Sequence, residues 1–181
     1  DALIELNYLG IENVLALRGD ETNFKKTINK DRSVNIHSSD LVRQITDLKQ
    51  GIYLEEILNS KPVDFCVGVG GYPEKHFEAP NLKTDIKYLK GKIEAGADYI
   101  TTQMFFDNKH FFNYLDACHE AGINVPIIPG LKIINHKRQL RTIPKNFHVD
   151  LPEELVDEVL ENEEHVKQIG IDWAAKQCRE L

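Results

Sequence analysis

The sequence predicts an α/β fold on a parallel sheet, and three observations carry that expectation. Four short apolar runs alternate with amphipathic helical stretches along the chain, the pattern of repeated β-α units. Glycines close several helical stretches (Gly10, Gly96 and Gly122), as helix C-terminal caps do. Each apolar run breaks off at its C-terminal end into polar or glycine-rich residues, which is where parallel α/β folds bind ligands. Alternation alone does not separate an open doubly wound sheet from a (β/α)8 barrel. Polar ends on all four runs favour the barrel, whose site draws on many loops. A complete barrel needs about 250 residues, so 181 residues make an incomplete one, read as a single domain over residues 1–181.

The elements follow in order. Ala2 to Leu9 carries apolar residues at helical spacing, and Ile11 to Leu17 reads as a strand ending in Arg18-Gly19-Asp20. Glu21 to His37 has no period and reads as a long loop. Ser39-Asp40 is the expected cap of a helix to about Lys49, with Leu41, Val42, Ile45 and Leu48 inward. Ile52 to Leu58 is expected to extend the helical structure. Phe65 to Val69 is the second strand, ending at Gly70-Gly71-Tyr72, and a helix follows from near Asn81 to Ala95. Asp98 to Asp107 reads as a buried strand with an amide, Gln103, near its end. Lys109 to Ala121 is helical, and Pro126 to Leu131 is a short strand whose prolines predict irregular ends. Helices are expected over Asn135 to Ile143, from Pro152 with Leu155, Val156 and Val159 inward, and over Glu163 to Leu181.

Composition narrows the class. Hydrophobic residues make up 41% and charged residues 28% of the chain, ordinary values for a soluble globular domain. A formal net charge of −7 leaves no electrostatic footprint for nucleic acid. Lys137, Arg138 and Arg141 read as a solvated helix face. The three cysteines, Cys66, Cys118 and Cys178, lack metal-ligand spacing and suit a reducing compartment. Cys66 and Cys118 sit in apolar runs and read as core. No stretch reaches the length of a membrane span, and Asp1 to Leu6 lacks the features of a signal peptide. The expectation is a cytoplasmic domain with a metal-free site and no membrane partner, for which a homo-oligomer stays open.

Several strand-end groups are candidates for a site. Arg18-Gly19-Asp20 is either a ligand-approach turn or a surface turn with a local ion pair. The glycines of Gly68-Val69-Gly70-Gly71 thin the strand end so that something flat can lie against it; Tyr72-Pro73 interrupts any dinucleotide fingerprint. Asp85 and Lys92, seven residues apart, share a helix face as a functional or merely solvated pair. His76 follows a turn and has the chemistry to meet a phosphate or sugar.

Taken together, Leu15-Ala-Leu-Arg-Gly-Asp20, Val69 to His76, Asp85 through Asp98, Thr102 to Asp107, and Ile127 to Leu131 with Gln139 resemble methylenetetrahydrofolate reductase. That family is a flavoprotein TIM barrel of one-carbon and methionine metabolism. The resemblance implies FAD, with NADH or NADPH as hydride source and a folate as substrate. It implies that Asp20 lies beside the flavin ring as the catalytic carboxylate and favours the cationic iminium of the folate. Arg18, Gly19, Asp20, Tyr72, His76, Asp85 and Lys92 match FAD-holding positions, Lys92 toward the pyrophosphate and Asp85 toward a sugar hydroxyl. Gln103 matches the amide that reads the pterin, and Gln139 a second folate contact. By the same resemblance the chain runs from the fourth barrel strand to the seventh helix. The first three strands, with the family's general-acid Glu, and the last strand, with its folate-facing Arg, have no counterpart. The chain departs from the family at Ile36-His37-Ser38, at Gly91, and at Ile143, near which bacterial relatives place an aromatic. The other reading is a truncated barrel serving as a non-catalytic flavin- or folate-binding module.

Overall fold

The computed structural model describes residues 2–19, 35–56 and 58–181. Four strands, β1 (Asn13–Ala16), β2 (Cys66–Gly71), β3 (Tyr99–Met104) and β4 (Ile127–Gly130), pair in parallel in the order β1-β2-β3-β4. Consecutive parallel strands joined by helices are the arrangement of a (β/α)8 barrel. Helices α1 (Ala2–Tyr8), α2 (Ser38–Lys49), α3 (Leu82–Glu94) and α4 (Asn108–Glu120) belong to this part. Beyond β4 come α5 (Gln139–Phe147), α6 (Glu153–Glu161), a 3-10 turn (Glu163–His165) and α7 (Val166–Glu180).

Two apolar clusters hold the chain together. The first packs Val67, Val69 and Ile100 of the sheet against Val42, Ile45, Leu48, Ile86, Leu89, Tyr114 and Cys118 of α2 to α4. The second gathers Phe106, Ile134, Ile143, Val149, Leu155, Val159, Val166 and Ile169 around α5 to α7. Each such side chain contributes about 1.5–3 kcal/mol of burial, before conformational entropy is set against it. The glycines of β2 mostly serve internal packing. A Cβ on Gly68 would strike the Tyr99 ring, and one on Gly71 would strike the Tyr114 hydroxyl. Only Gly70 opens toward the strand-end face, with Leu17 at 3.5 Å and the Tyr72 hydroxyl at 3.7 Å from its would-be Cβ.

The structure corrects several expectations. Residues 52–56 and 58–62 form no helix, because Gly51 at φ +77 turns the chain out of α2. Ile52 and Leu54 are consequently exposed. The α2 cap is His37, not Ser39-Asp40; Asp40 sits at the third helical position and accepts from His37 N at 2.9 Å and Ile36 N at 3.2 Å. Strand β2 runs through Gly70 and Gly71, since Gly71 pairs with Thr102 of β3. Helix α5 starts at Gln139 because the Asn135 and His136 amides bond its side chain in a preceding turn. It continues past Pro144 to a left-handed cap at His148, φ +54. Cys118 is core, but Cys66 is exposed at the start of β2, and all three cysteines are free. The prolines of β4 do bring irregularity: the register to β3 shifts between Thr101 and Met104. There Thr102 Oγ1 accepts from Gly130 N at 2.9 Å. Among the described residues, no helix is long and apolar enough to cross a membrane and no cluster could hold a metal.

Candidate functional site

The C-terminal ends of β1, β2 and β3 bring together most of the residues singled out in the sequence. The loop after β2 turns back on itself. Lys75, at φ +73, donates its amide to Tyr72 O at 3.0 Å. This sets the His76 ring edge-on to Tyr72, with centroids 4.6 Å apart. His76 Nδ1 accepts from Glu78 N at 3.2 Å, which leaves Nε2–H as the donor of a neutral imidazole. Burial holds the His76 pKa below its usual value, against the pull of Glu78 and Asp85.

Asp85 and Lys92 lie on the α3 face turned to this loop, and they are not a solvated pair. Asp85 Oδ2 accepts from His76 N at 2.8 Å. Lys92 Nζ donates to Gly70 O at 3.1 Å. Burial raises the Asp85 pKa and lowers that of Lys92, while each group's charge pushes the other back toward its ionised form. Arg18 also depresses Lys92 by like charge. Arg18 itself pairs with Glu78 Oε2 at 2.6 Å, so this ion pair crosses to the β2 loop. Gly19 stands at φ +82, and none of the described residues comes within 4 Å of where its Cβ would be. Asp20 lies outside the described residues.

Gln103 stands at the end of β3, in a crevice lined by Tyr72, Glu74, Lys75, Met104 and His148 among others. Its Oε1 accepts from Met104 N at 3.0 Å, and its Nε2 donates to no group among the described residues. A carboxamide held by its oxygen presents its two N–H donors outward. Gln139 is not drawn into that crevice; its Oε1 accepts from Asn135 N at 2.8 Å and His136 N at 3.0 Å. Thr102 ties β3 to β4, and Phe105 and Phe106 are core at 0% and 1% exposure. Ile143 is buried in the second cluster.

Sequence reasoning missed Glu74, Glu78 and Gln177. Glu74 lay inside a quoted motif, and an acid between Pro73 and Lys75 was its only signal. Gln177 is 4% exposed; it donates to Phe105 O at 3.2 Å and Asn108 Oδ1 at 3.1 Å. An amide one residue from an exposed cysteine gave no hint of that burial.

These features define a parallel α/β chain of the (β/α)8 type, with a polar, partly cationic face at its strand ends. Across residues 1–181 it matches the family model of methylenetetrahydrofolate reductase, and it belongs to that family. It is 35% identical to methylenetetrahydrofolate reductase 2 of Saccharomyces cerevisiae, covering 100% of this chain and 29% of that protein. It is 34% identical to methylenetetrahydrofolate reductase (NADH) 1 of Arabidopsis thaliana, over 99% of this chain and 30% of that one. The chain thus spans under a third of the length of these relatives. An uncharacterized protein from Clostridium thermocellum, described as binding two copies of 5-methyl-5,6,7,8-tetrahydrofolic acid, shares the fold. The two superpose with a TM-score of 0.50 at 20% identity, over 65% of this chain and 41% of that one.

Proposed function

We propose that this chain forms part of the flavin- and folate-binding wall of an enzyme that reduces 5,10-methylenetetrahydrofolate to 5-methyltetrahydrofolate with NADH or NADPH, in the cytoplasm. The observation that carries the reading is the donor set at the end of β2. Arg18 and the half-buried Lys92 place two positive charges in mutual repulsion there, beside the neutral His76. A diphosphate would relieve that repulsion and accept from all three groups, so the residues fit FAD. Bound FAD supplies hydride acceptance from the nicotinamide and hydride donation to the folate.

The protein's own groups bind and orient. Lys92 and Arg18 hold the diphosphate, Asp85 a sugar hydroxyl, and Tyr72 with His76 the adjoining surface. Gly19 lets backbone approach the ligand, and Asp20 supplies the charge beside the ring. Gln103 reads the pterin edge with its outward N–H groups, and Gln139 adds a second folate contact.

Gln103→Ala in the holoenzyme tests the reading. Stopped-flow traces should show folate reduction slowed at least about tenfold, with flavin reduction by the nicotinamide unchanged. Equal losses in both half-reactions would count against the role of Gln103. A holoprotein that binds FAD and folate yet transfers no hydride would support a binding module instead.

A further inference from the structure

Glu74 sits between Tyr72 and His76, yet its carboxylate serves a distant part of the chain. Oε2 accepts from Asp150 N at 2.8 Å, across 76 residues. Three positions later, the Phe77 ring stacks on His148 with centroids 4.9 Å apart and planes inclined by 27°. His148 is the left-handed cap of α5, and Asp150 lies two residues beyond it. Two contacts of unlike chemistry therefore fasten the β2 loop to the C-terminal end of α5.

Helix α5 needs such fastening. It is nine residues long and contains Pro144, which has no N–H to bond back and weakens a helix from within. Gln139 holds its first turn by accepting from Asn135 N and His136 N. Glu74 and Phe77 hold its last.

The clasp also costs something. Glu74 Oε1 is buried with no partner among the described residues. Burial raises the carboxyl pKa, Asp150 and Asp107 repel its charge, and only the Asp150 amide and His110 favour it.

We propose that Glu74 is a positioning residue that sets α5, and with it Gln139, against the loop carrying Tyr72 and His76. Folate affinity then depends on Glu74 through the placement of α5. This rests on the flavin and folate reading above.

The test compares Glu74→Ala, Glu74→Gln and Phe77→Leu in the holoenzyme, with 5-methyltetrahydrofolate as the binding probe. Glu74→Ala should weaken that binding about tenfold, the scale of one charge-assisted hydrogen bond. Flavin reduction by the nicotinamide should be unchanged, and amide exchange over residues 139–148 should accelerate. Glu74→Gln keeps an oxygen for the Asp150 amide and should restore both readouts. Phe77→Leu leaves the carboxylate intact and should give a smaller loss in the same direction, so it decides the matter should Glu74→Ala fail to fold. Unchanged folate binding in Glu74→Ala would overturn the proposal. So would equal impairment in Glu74→Ala and Glu74→Gln, or equal losses in both half-reactions. Should the unsubstituted holoenzyme fail to bind folate, the functional reading falls, and exchange over α5 still reports whether the clasp exists.

Discussion

The exits of β3 and β1 are built in opposite ways. Beyond Gln103 the chain runs into Phe105 and Phe106, both core, and α7 grips it from outside. Trp173 Nε1 donates to Phe106 O at 3.0 Å, and Gln177 Nε2 to Phe105 O at 3.2 Å. Beyond β1, Leu17 is 53% exposed, and among the described residues Arg18 is placed by one ion pair, with the exposed Glu78. A pair of that kind contributes about 0–1 kcal/mol and is screened by salt. The difference matches the proposed tasks. An amide that reads one edge of a ring needs a fixed position. An arginine that meets a diphosphate needs only a partner it can exchange.

The contrast can be broken most severely at Gly170, where a Cβ would fall on the Ile134 carbonyl. Gly170→Ala should lift α7 from its seat and cost about 3 kcal/mol, read from the urea midpoint. An unchanged midpoint would mean that α7 does not seat there.

Next in size is Gln177→Leu, which strips Phe105 O and Asn108 Oδ1 of their shared donor and should cost about 2 kcal/mol. Thermal unfolding measures it. Amide exchange should quicken through Phe105 to Asn108 and stay unchanged around Arg18.

Arg18→Ala should do the reverse. Stability should move by less than about 0.5 kcal/mol, while FAD affinity in the holoenzyme falls about tenfold. Calorimetric titration with FAD decides it, and a large stability loss with normal FAD binding would erase the contrast.

Asp40 offers the smallest effect. Its pKa is lowered chiefly by the His37 amide. A carboxyl depressed on folding stabilises above its unfolded pKa, and the contribution disappears as pH falls through the folded value. The stability gap between wild type and Asp40→Ala should therefore be flat above about pH 4 and close below it. A gap that persists in stronger acid would sever it from the carboxylate.

What the sequence made legible follows from periodicity. Ile86 and Leu89, or Val42, Ile45 and Leu48, are inward at helical spacing and buried in the structure. Parallel strands with polar ends could be read for the same reason. Illegible were features set by contacts distant in sequence. Nothing near Gly68 tells that its flat neighbour is Tyr99, thirty-one positions on. Nothing near Arg18 names Glu78, sixty positions on, as a partner. Asp85 and Lys92 could be placed on one helix face, but only the fold turns that face toward a loop that dries it. The Ile52 to Leu58 expectation failed because apolar spacing there outweighed a glycine whose φ of +77 ends α2.

The strand order has a consequence for how the molecule assembles. Each strand pairs with the next in sequence, so every pairing closes only one β-α unit and can form progressively. The α7 bonds to Phe105 and Phe106 instead span 72 and 67 residues. Longer closures cost more entropy and are repaid later. The sheet should therefore form first, and the turn beyond Gln103 should acquire its final shape only when α7 docks.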